Sequence, residues 1–155
     1  MGVADMKTSN RAGDSIVTYS LGSCIGLVIY DPFAKAGGIL HYMLPDSSID
    51  NEKARLKPLM FADTGIPRLF KETYSLGAKK SRIKVFIAGG AEILDQCGFF
   101  NIGKRNYVAL KKMMFRNNVL IGRQIVGGNV NRTVRLEIAT GDIYVKTSGA
   151  HEEKI

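Results

Sequence analysis

The sequence predicts an α+β domain in which mostly antiparallel or mixed β-sheet is flanked by two main helices. Three observations carry this. Strand-like runs outnumber helical stripes, only two stretches hold a convincing helical period, and most neighbouring runs are separated by turn signals short enough for hairpins rather than by crossover helices. The 155 residues, 45% hydrophobic and 23% charged, suit one globular domain spanning 1–155, long enough to bury about two-thirds of its unfolded surface.

Residues 14–20 (DSIVTYS) and 24–30 (CIGLVIY) are rich in β-branched and aromatic side chains and are separated by Leu21-Gly22-Ser23, which reads as two strands and a bend. A third run, 38–44 (GILHYML), ends at Pro45-Asp46, and 31–37 (DPFAKAG) makes the turn before it. Pro58 opens a helix that Gly77 closes, with Leu59, Ala62, Ile66, Leu69, Phe70 and Thr73 on the core-facing stripe. Pro67 falls inside that stripe and predicts a kink or a split. Residues 82–88 (RIKVFIA) alternate as a half-buried strand ahead of Gly89-Gly90. A second helix fits 101–117, with Asn101 at its N-cap and Val108, Met113 and Met114 on its apolar side. Strands over 119–126, 132–139 and 143–147 follow, the last two joined by Thr140-Gly141-Asp142, and the polar tail 148–155 is expected to fray.

No stretch approaches eighteen consecutive apolar residues, and no basic-then-apolar leader opens the chain. A cytoplasmic protein without direct membrane insertion is expected. Two cysteines in such a setting read as free thiols, with Cys97 a small core hydrophobe. The net charge of +8 is spread over Lys79–Lys84 and Lys104–Lys112 without interleaved stacking aromatics or zinc-ligand spacing. That argues against nucleic acid and leaves two meanings, solubility or attraction to an acidic partner.

Cys24 heads one apolar run and His41 lies inside the next, and the chain has only two cysteines and two histidines. A thiol beside an imidazole is the minimum constellation of a cysteine nucleophile. If Pro32-Phe33 were the central turn residues, Cys24 would face His41 directly across a hairpin; a looser loop would change that register. Gly22 permits a sharp bend that frees N–H groups near Ser23 and Cys24 for an oxyanion, although a glycine there also serves simply as a turn. Asp14, Asp31 and Asp46 sit at strand ends where capping is the default. Thr18, on the preceding strand, carries a hydroxyl able to accept from the imidazole, and equally serves as ordinary sheet filler. From the residues alone, a catalytic pair and a core thiol with an incidental histidine both stand.

The string TYSLGSCIGLVIYDPFAKAGGILHYMLP, from Thr18 to Pro45, closely resembles the signature region of the CheD family of chemoreceptor glutamine deamidases. The resemblance continues through VADMK, FADTGIP, IAGGAEI, NIGKRN, GGNVNRT and ATGDIYVK, in order along nearly the whole chain. It implies a layered α/β sandwich related to the catalytic domains of deamidating toxins. It also implies hydrolysis of glutamine side chains to glutamate on methyl-accepting chemotaxis receptors. The family's trio falls on Cys24 as nucleophile, His41 as general base and acid, and Thr18 as the residue orienting His41. Backbone N–H groups of Ser23 and Cys24 would serve the oxyanion, and no metal or organic cofactor is implied. The receptor's cytoplasmic helices are the implied substrate, and the phosphatase CheC is the implied partner. The alternatives are a non-catalytic or dual-role regulator that binds CheC, and a cysteine peptidase, since a thiol–imidazole pair by itself does not choose between amide bonds.

Overall fold

The computed structural model describes residues 1–93 and 100–155. Among these, nine strands form two sheets. The strands are β1 (Asp5–Ser9), β2 (Ser15–Leu21), β3 (Ile25–Asp31), β4 (Ala36–Tyr42), β5 (Lys84–Gly89), β6 (Arg123–Val126), β7 (Arg132–Glu137), β8 (Ile143–Thr147) and β9 (Glu152–Lys154). The first sheet has the order β1-β4-β3-β5-β6 and the second β2-β7-β8-β9. Every pairing is antiparallel except β5 with β6. The helices are α1 (Asn51–Leu56), α2 (Ala62–Ser75) and α3 (Ile102–Arg116), the last forming the crossover between the two parallel strands. None of the described helices is long and apolar enough to cross a membrane.

The sequence pattern of β3 and β4 explains the layering. Every residue of both strands is buried, so these runs show no polar alternation and must be covered on both faces. On one face Ile25, Leu27, Ile29, Leu40 and Tyr42 pack against Ile66, Leu69 and Phe70 of α2 and Leu110 and Met114 of α3. On the other, Val28, Tyr30 and Ile39 meet Ile16, Leu21, Val134, Leu136 and Val145 of the second sheet. The result is a sheet–sheet–helix sandwich, the α+β layout that the element pattern predicts, with both long helices on the same face.

Several local expectations are corrected. Ala36 and Gly37 are strand residues rather than turn residues, and Gly38 lies within the strand as expected. A Cβ on Gly38 would lie 2.6 Å from the Lys7 carbonyl oxygen of β1, so glycine serves close strand approach there. The hairpin loop is therefore residues 32–35, closed by the Asp31–Ala36 pair, and not a two-residue turn. Helix α2 runs unbroken through Pro67, because a proline in the second turn forfeits only the bond to the Asp63 carbonyl. Val108 is exposed, and the buried side of α3 carries Gly103, Asn106, Leu110 and Met114. The polar run Asp5–Ser9 forms an edge strand that no apolar alternation announces. The tail also pairs: β9 lies on β8 and is held by Lys154–Asp142 and Arg135–Glu152 ion pairs at 2.9 and 2.6 Å. The strand residues themselves are exposed, so backbone pairing, these ion pairs and the packing of Ile155 against the inter-sheet cluster hold the tail, which a hydropathy pattern does not register. Cys97 lies outside the described residues.

Candidate active site

Three segments converge on the layer between the sheets. In β4, side chains alternate so that Leu40 and Tyr42 face the helices, while Ile39 and His41 face the second sheet. His41 is opposite Gly26, not Cys24. The four-residue loop moves the register by two from direct opposition, and a shift of two keeps every side chain on its original face. Cys24, just ahead of β3, accordingly packs against the inter-sheet cluster, and it is partly exposed.

Thr18 comes from the facing sheet, since β2 pairs with β7 and not with the hairpin. A bulge between Thr18 and Leu21 inserts one residue, with Ser20 in the left-handed region at φ 57. Without it, positions three apart would point to opposite faces; with it, Thr18 and Leu21 are both fully buried. Thr18 Oγ1 lies 2.8 Å from His41 Nδ1, and Oγ1 donates to the Met1 carbonyl at 3.4 Å. A hydroxyl has one proton. With that proton given to Met1, Oγ1 would accept from Nδ1–H and Nε2 would carry the lone pair; with it given to Nδ1, the roles reverse. Nε2 is buried and has no hydrogen-bond partner among the described residues.

The loop before Cys24 is pinned at three successive carbonyls. Gly22 C=O accepts from Ala91 N–H at 2.8 Å, and Cys24 C=O accepts from Gly90 N–H at 2.8 Å. The Ser23 carbonyl accepts from Asn106 Nδ2 at 3.0 Å. Gly89 makes this approach possible. Its φ is +107, and a Cβ there would lie 2.1 Å from the Cys24 carbonyl oxygen. Among the described residues no backbone carbonyl takes the N–H of Ser23 or Cys24.

Electrostatics keep the pair neutral at rest. Burial first, and then the N-terminal ammonium, push the His41 imidazole down to about 4, with Asp5 opposing weakly. Burial pushes the Cys24 thiol above its ordinary value, partly offset by the residue's own backbone N–H. Both shifts favour a neutral thiol and a neutral imidazole over a preformed thiolate–imidazolium pair. Among the described residues no group of three or more His, Cys, Asp or Glu gathers as a metal site would need.

Two buried polar residues escaped the reading of the chain. Asn106 of α3 also donates Nδ2 to the Met43 carbonyl at 2.7 Å, and Tyr42 Oη donates to the Asn106 carbonyl at 2.8 Å. Arg132 of β7, paired with Leu21 across the sheet, gives Nη2 to the Gly127 carbonyl at 2.9 Å, while its Nε and Nη1 are buried without partners among the described residues. The only signal for either was its place inside the NIGKRN and GGNVNRT strings.

A family model described as CheD chemotactic sensory transduction matches residues 43–147. The chain belongs to the CheD family. Among its CheD relatives, the "Probable chemoreceptor glutamine deamidase CheD 1" of Syntrophus aciditrophicus (strain SB) is 58% identical over 147 residues, covering 95% of this chain and 92% of the relative. The "Probable chemoreceptor glutamine deamidase CheD" of Solibacter usitatus (strain Ellin6076) is 47% identical over 155 residues, covering all of this chain and 92% of the relative. The "Probable chemoreceptor glutamine deamidase CheD" of Desulforamulus reducens (strain ATCC BAA-1160 / DSM 100696 / MI-1) is 41% identical over 153 residues, covering 97% of this chain and 90% of the relative. The CheD family model begins after His41, so it does not reach Thr18, Cys24 or His41.

Proposed function

We propose that this chain is a cytoplasmic protein-glutamine amidohydrolase that converts glutamine side chains of chemoreceptors to glutamate through Cys24, His41 and Thr18. The observation that carries the reading is the 2.8 Å contact of Thr18 Oγ1 with His41 Nδ1. With the hydroxyl proton given to Met1, it leaves Nε2 as the base on the face that also bears the thiol. The full-length CheD relatives support the substrate class.

The chemistry follows from the two protonation states. His41 Nε2 takes the Cys24 proton as Sγ bonds to the substrate γ-carbonyl carbon. A thiol that is not ionised beforehand needs that base during attack. N–H groups of Ser23 and Cys24 receive the oxyanion. The imidazolium returns its proton to the leaving nitrogen, ammonia departs and a thioester remains. Water then gives a proton to Nε2 and attacks the thioester. The tetrahedral adduct collapses to glutamate, and the departing sulfur regains its proton from His41. Thr18 holds the ring in the tautomer that both half-reactions require, without adding charge. No metal or organic cofactor enters any step.

The test is incubation with a glutamine-bearing receptor fragment, measuring ammonia and intact mass. Deamidation releases ammonia and adds about one dalton per site without cutting the chain, as carboxamide hydrolysis demands. Cleavage would mean a peptidase. Binding without turnover, in protein that retains the wild-type thiol, would mean a non-catalytic regulator. Family membership also supports CheC as a partner, and titration calorimetry with a CheC from the same organism measures that directly.

A further inference from the structure

Asn106 has three features together that anchoring a helix does not require. Its side chain is fully buried, its two amide protons are both given to backbone carbonyls, and its Oδ1 has no partner among the described residues. The orientation of the amide is fixed by those contacts, because the opposite assignment would set an oxygen against two carbonyl oxygens. An acceptor left unpaired in the interior is unfavourable, so the residue is a poor choice for stability alone.

The two carbonyls it holds belong to the two arms of the catalytic pair. Ser23 immediately precedes the nucleophile, and Met43 lies two residues beyond His41, just past the end of β4. In a trans peptide the C=O and the following N–H are antiparallel. Holding the Ser23 carbonyl therefore fixes the direction of the Cys24 N–H. The neighbouring carbonyls of Gly22 and Cys24 are held by backbone N–H groups, so Ser23 is the one position of the three that depends on a side chain.

We propose that Asn106 is a positioning residue that aims the Cys24 N–H at the developing oxyanion while tying the nucleophile loop to the end of the histidine strand. This role rests on the deamidase reading above. It acts on an acyl-transfer step and not on the nucleophilicity of the thiol, and that difference can be measured. Alkylation of Cys24 by iodoacetamide forms a carbon–sulfur bond with loss of iodide and develops no oxyanion. Deamidation needs both the thiol and the N–H.

The experiment compares wild type, Asn106→Ala and Asn106→Leu by kcat and KM on a receptor fragment, by Cys24 alkylation rate from peptide mapping, and by thermal melting. Displacing one oxyanion donor by a fraction of its bond length lowers kcat by about 10²-fold. KM and the alkylation rate are expected to stay within about threefold of wild type, the range of a change that leaves thiol and docking intact. Tyr42→Phe is the control. It removes the hydrogen bond to the Asn106 carbonyl, loosening the same helix contact without touching the carboxamide. If Tyr42→Phe lowers kcat as much as Asn106→Ala, helix docking explains the effect and the positioning role is overturned. Unchanged kcat in folded Asn106→Ala, or alkylation falling in step with kcat, overturns it as well. Should Asn106→Ala not fold, Asn106→Leu fills nearly the same volume without the donors and without a charge, and is read the same way. If wild type itself releases no ammonia, the deamidase reading falls and the positioning role falls with it; if Asn106→Ala alone behaves like wild type, only the positioning role falls.

Discussion

The two ends of the β3–β4 hairpin bury polar groups in opposite ways. At the turn end Asp31 is fully buried and fully partnered. It accepts from Phe33 and Ala34 N–H in the loop, from Lys79 N–H, and from Arg82 Nε and Nη2 at 2.8 and 2.7 Å. Burial alone would raise its carboxyl, but Arg82 and the three N–H groups carry it down to about 2. At the open end several polar atoms go unsatisfied. His41 Nε2, Asn106 Oδ1 and two nitrogens of Arg132 are the unpartnered buried polar atoms found among the described residues. All of them belong to this end, around the Leu21–Cys24 loop. One end of the hairpin commits its polar groups to partners, and the other leaves them unpaired, where the proposed reaction would draw on them.

The largest test of this contrast is Cys24→Ala. Deleting the nucleophile should lower kcat by about five orders of magnitude or more, while the melting temperature barely moves, because a half-exposed thiol becomes a methyl. Ammonia release and a thermal melt on the same preparation measure both, and residual turnover near wild type would remove the open end's claim to chemistry. His41→Ala should follow with a loss of about two to four orders of magnitude, since base and acid disappear together.

The turn end predicts the reverse pattern. Asp31→Asn sets an amide against donors that now lack an acceptor, and should cost about 3 kcal/mol in a urea titration. The kcat per folded molecule should stay at the wild-type value. A comparable loss of turnover would mean that the two ends are not separable.

Acid should dissolve the two ends in sequence. His41 has a folded value depressed from 6.5 to about 4. The unfolded chain therefore binds the extra proton, and stability falls as pH drops from about 6.5 to 4, by about 3 kcal/mol. Asp31, depressed from 3.8 to about 2, keeps its contribution through that window. It loses about 2 kcal/mol only as pH falls from about 4 to 2. Urea titrations at several pH values, on wild type, His41→Gln and Asp31→Asn, should show each variant missing one step. A wild-type profile flat between pH 6.5 and 4 would contradict the buried neutral imidazole.

Thr18→Val is the smallest expected effect on turnover, about tenfold in kcat, because the hydroxyl orients the ring without contributing charge. Thr18→Ser should restore most of the loss, which a simple packing defect would not. A loss equal to that of His41→Ala would mean that ring orientation matters as much at the open end as the proton transfers themselves.

Much of this was legible along the chain. Continuous apolar runs at 24–30 and 38–44 require strands covered on both faces, and the scarcity of Cys and His makes Cys24 and His41 conspicuous. The period-two alternation of strands put thiol and imidazole on a common face whatever even register the hairpin took, so the pair survived a loop two residues longer than a tight turn. What the linear order does not contain is which sheet each strand joins. Thr18 reaches His41 because β2 pairs with β7 across the sandwich and a bulge turns its residues inward, and neither follows from local propensity. Asn106 is eighty-two residues from Cys24 and polar on a helix, so hydropathy assigns it to solvent. Only the packing of α3 over the ends of β3 and β4 buries it against the Ser23 and Met43 carbonyls. The sequence by itself determined which thiol and which imidazole stand on these two strands and, for any even register, that they share a face, because alternation is a property of the strand. The tertiary structure decided which polar groups meet them, because long-range pairing and the partners it brings are properties of the assembled layers.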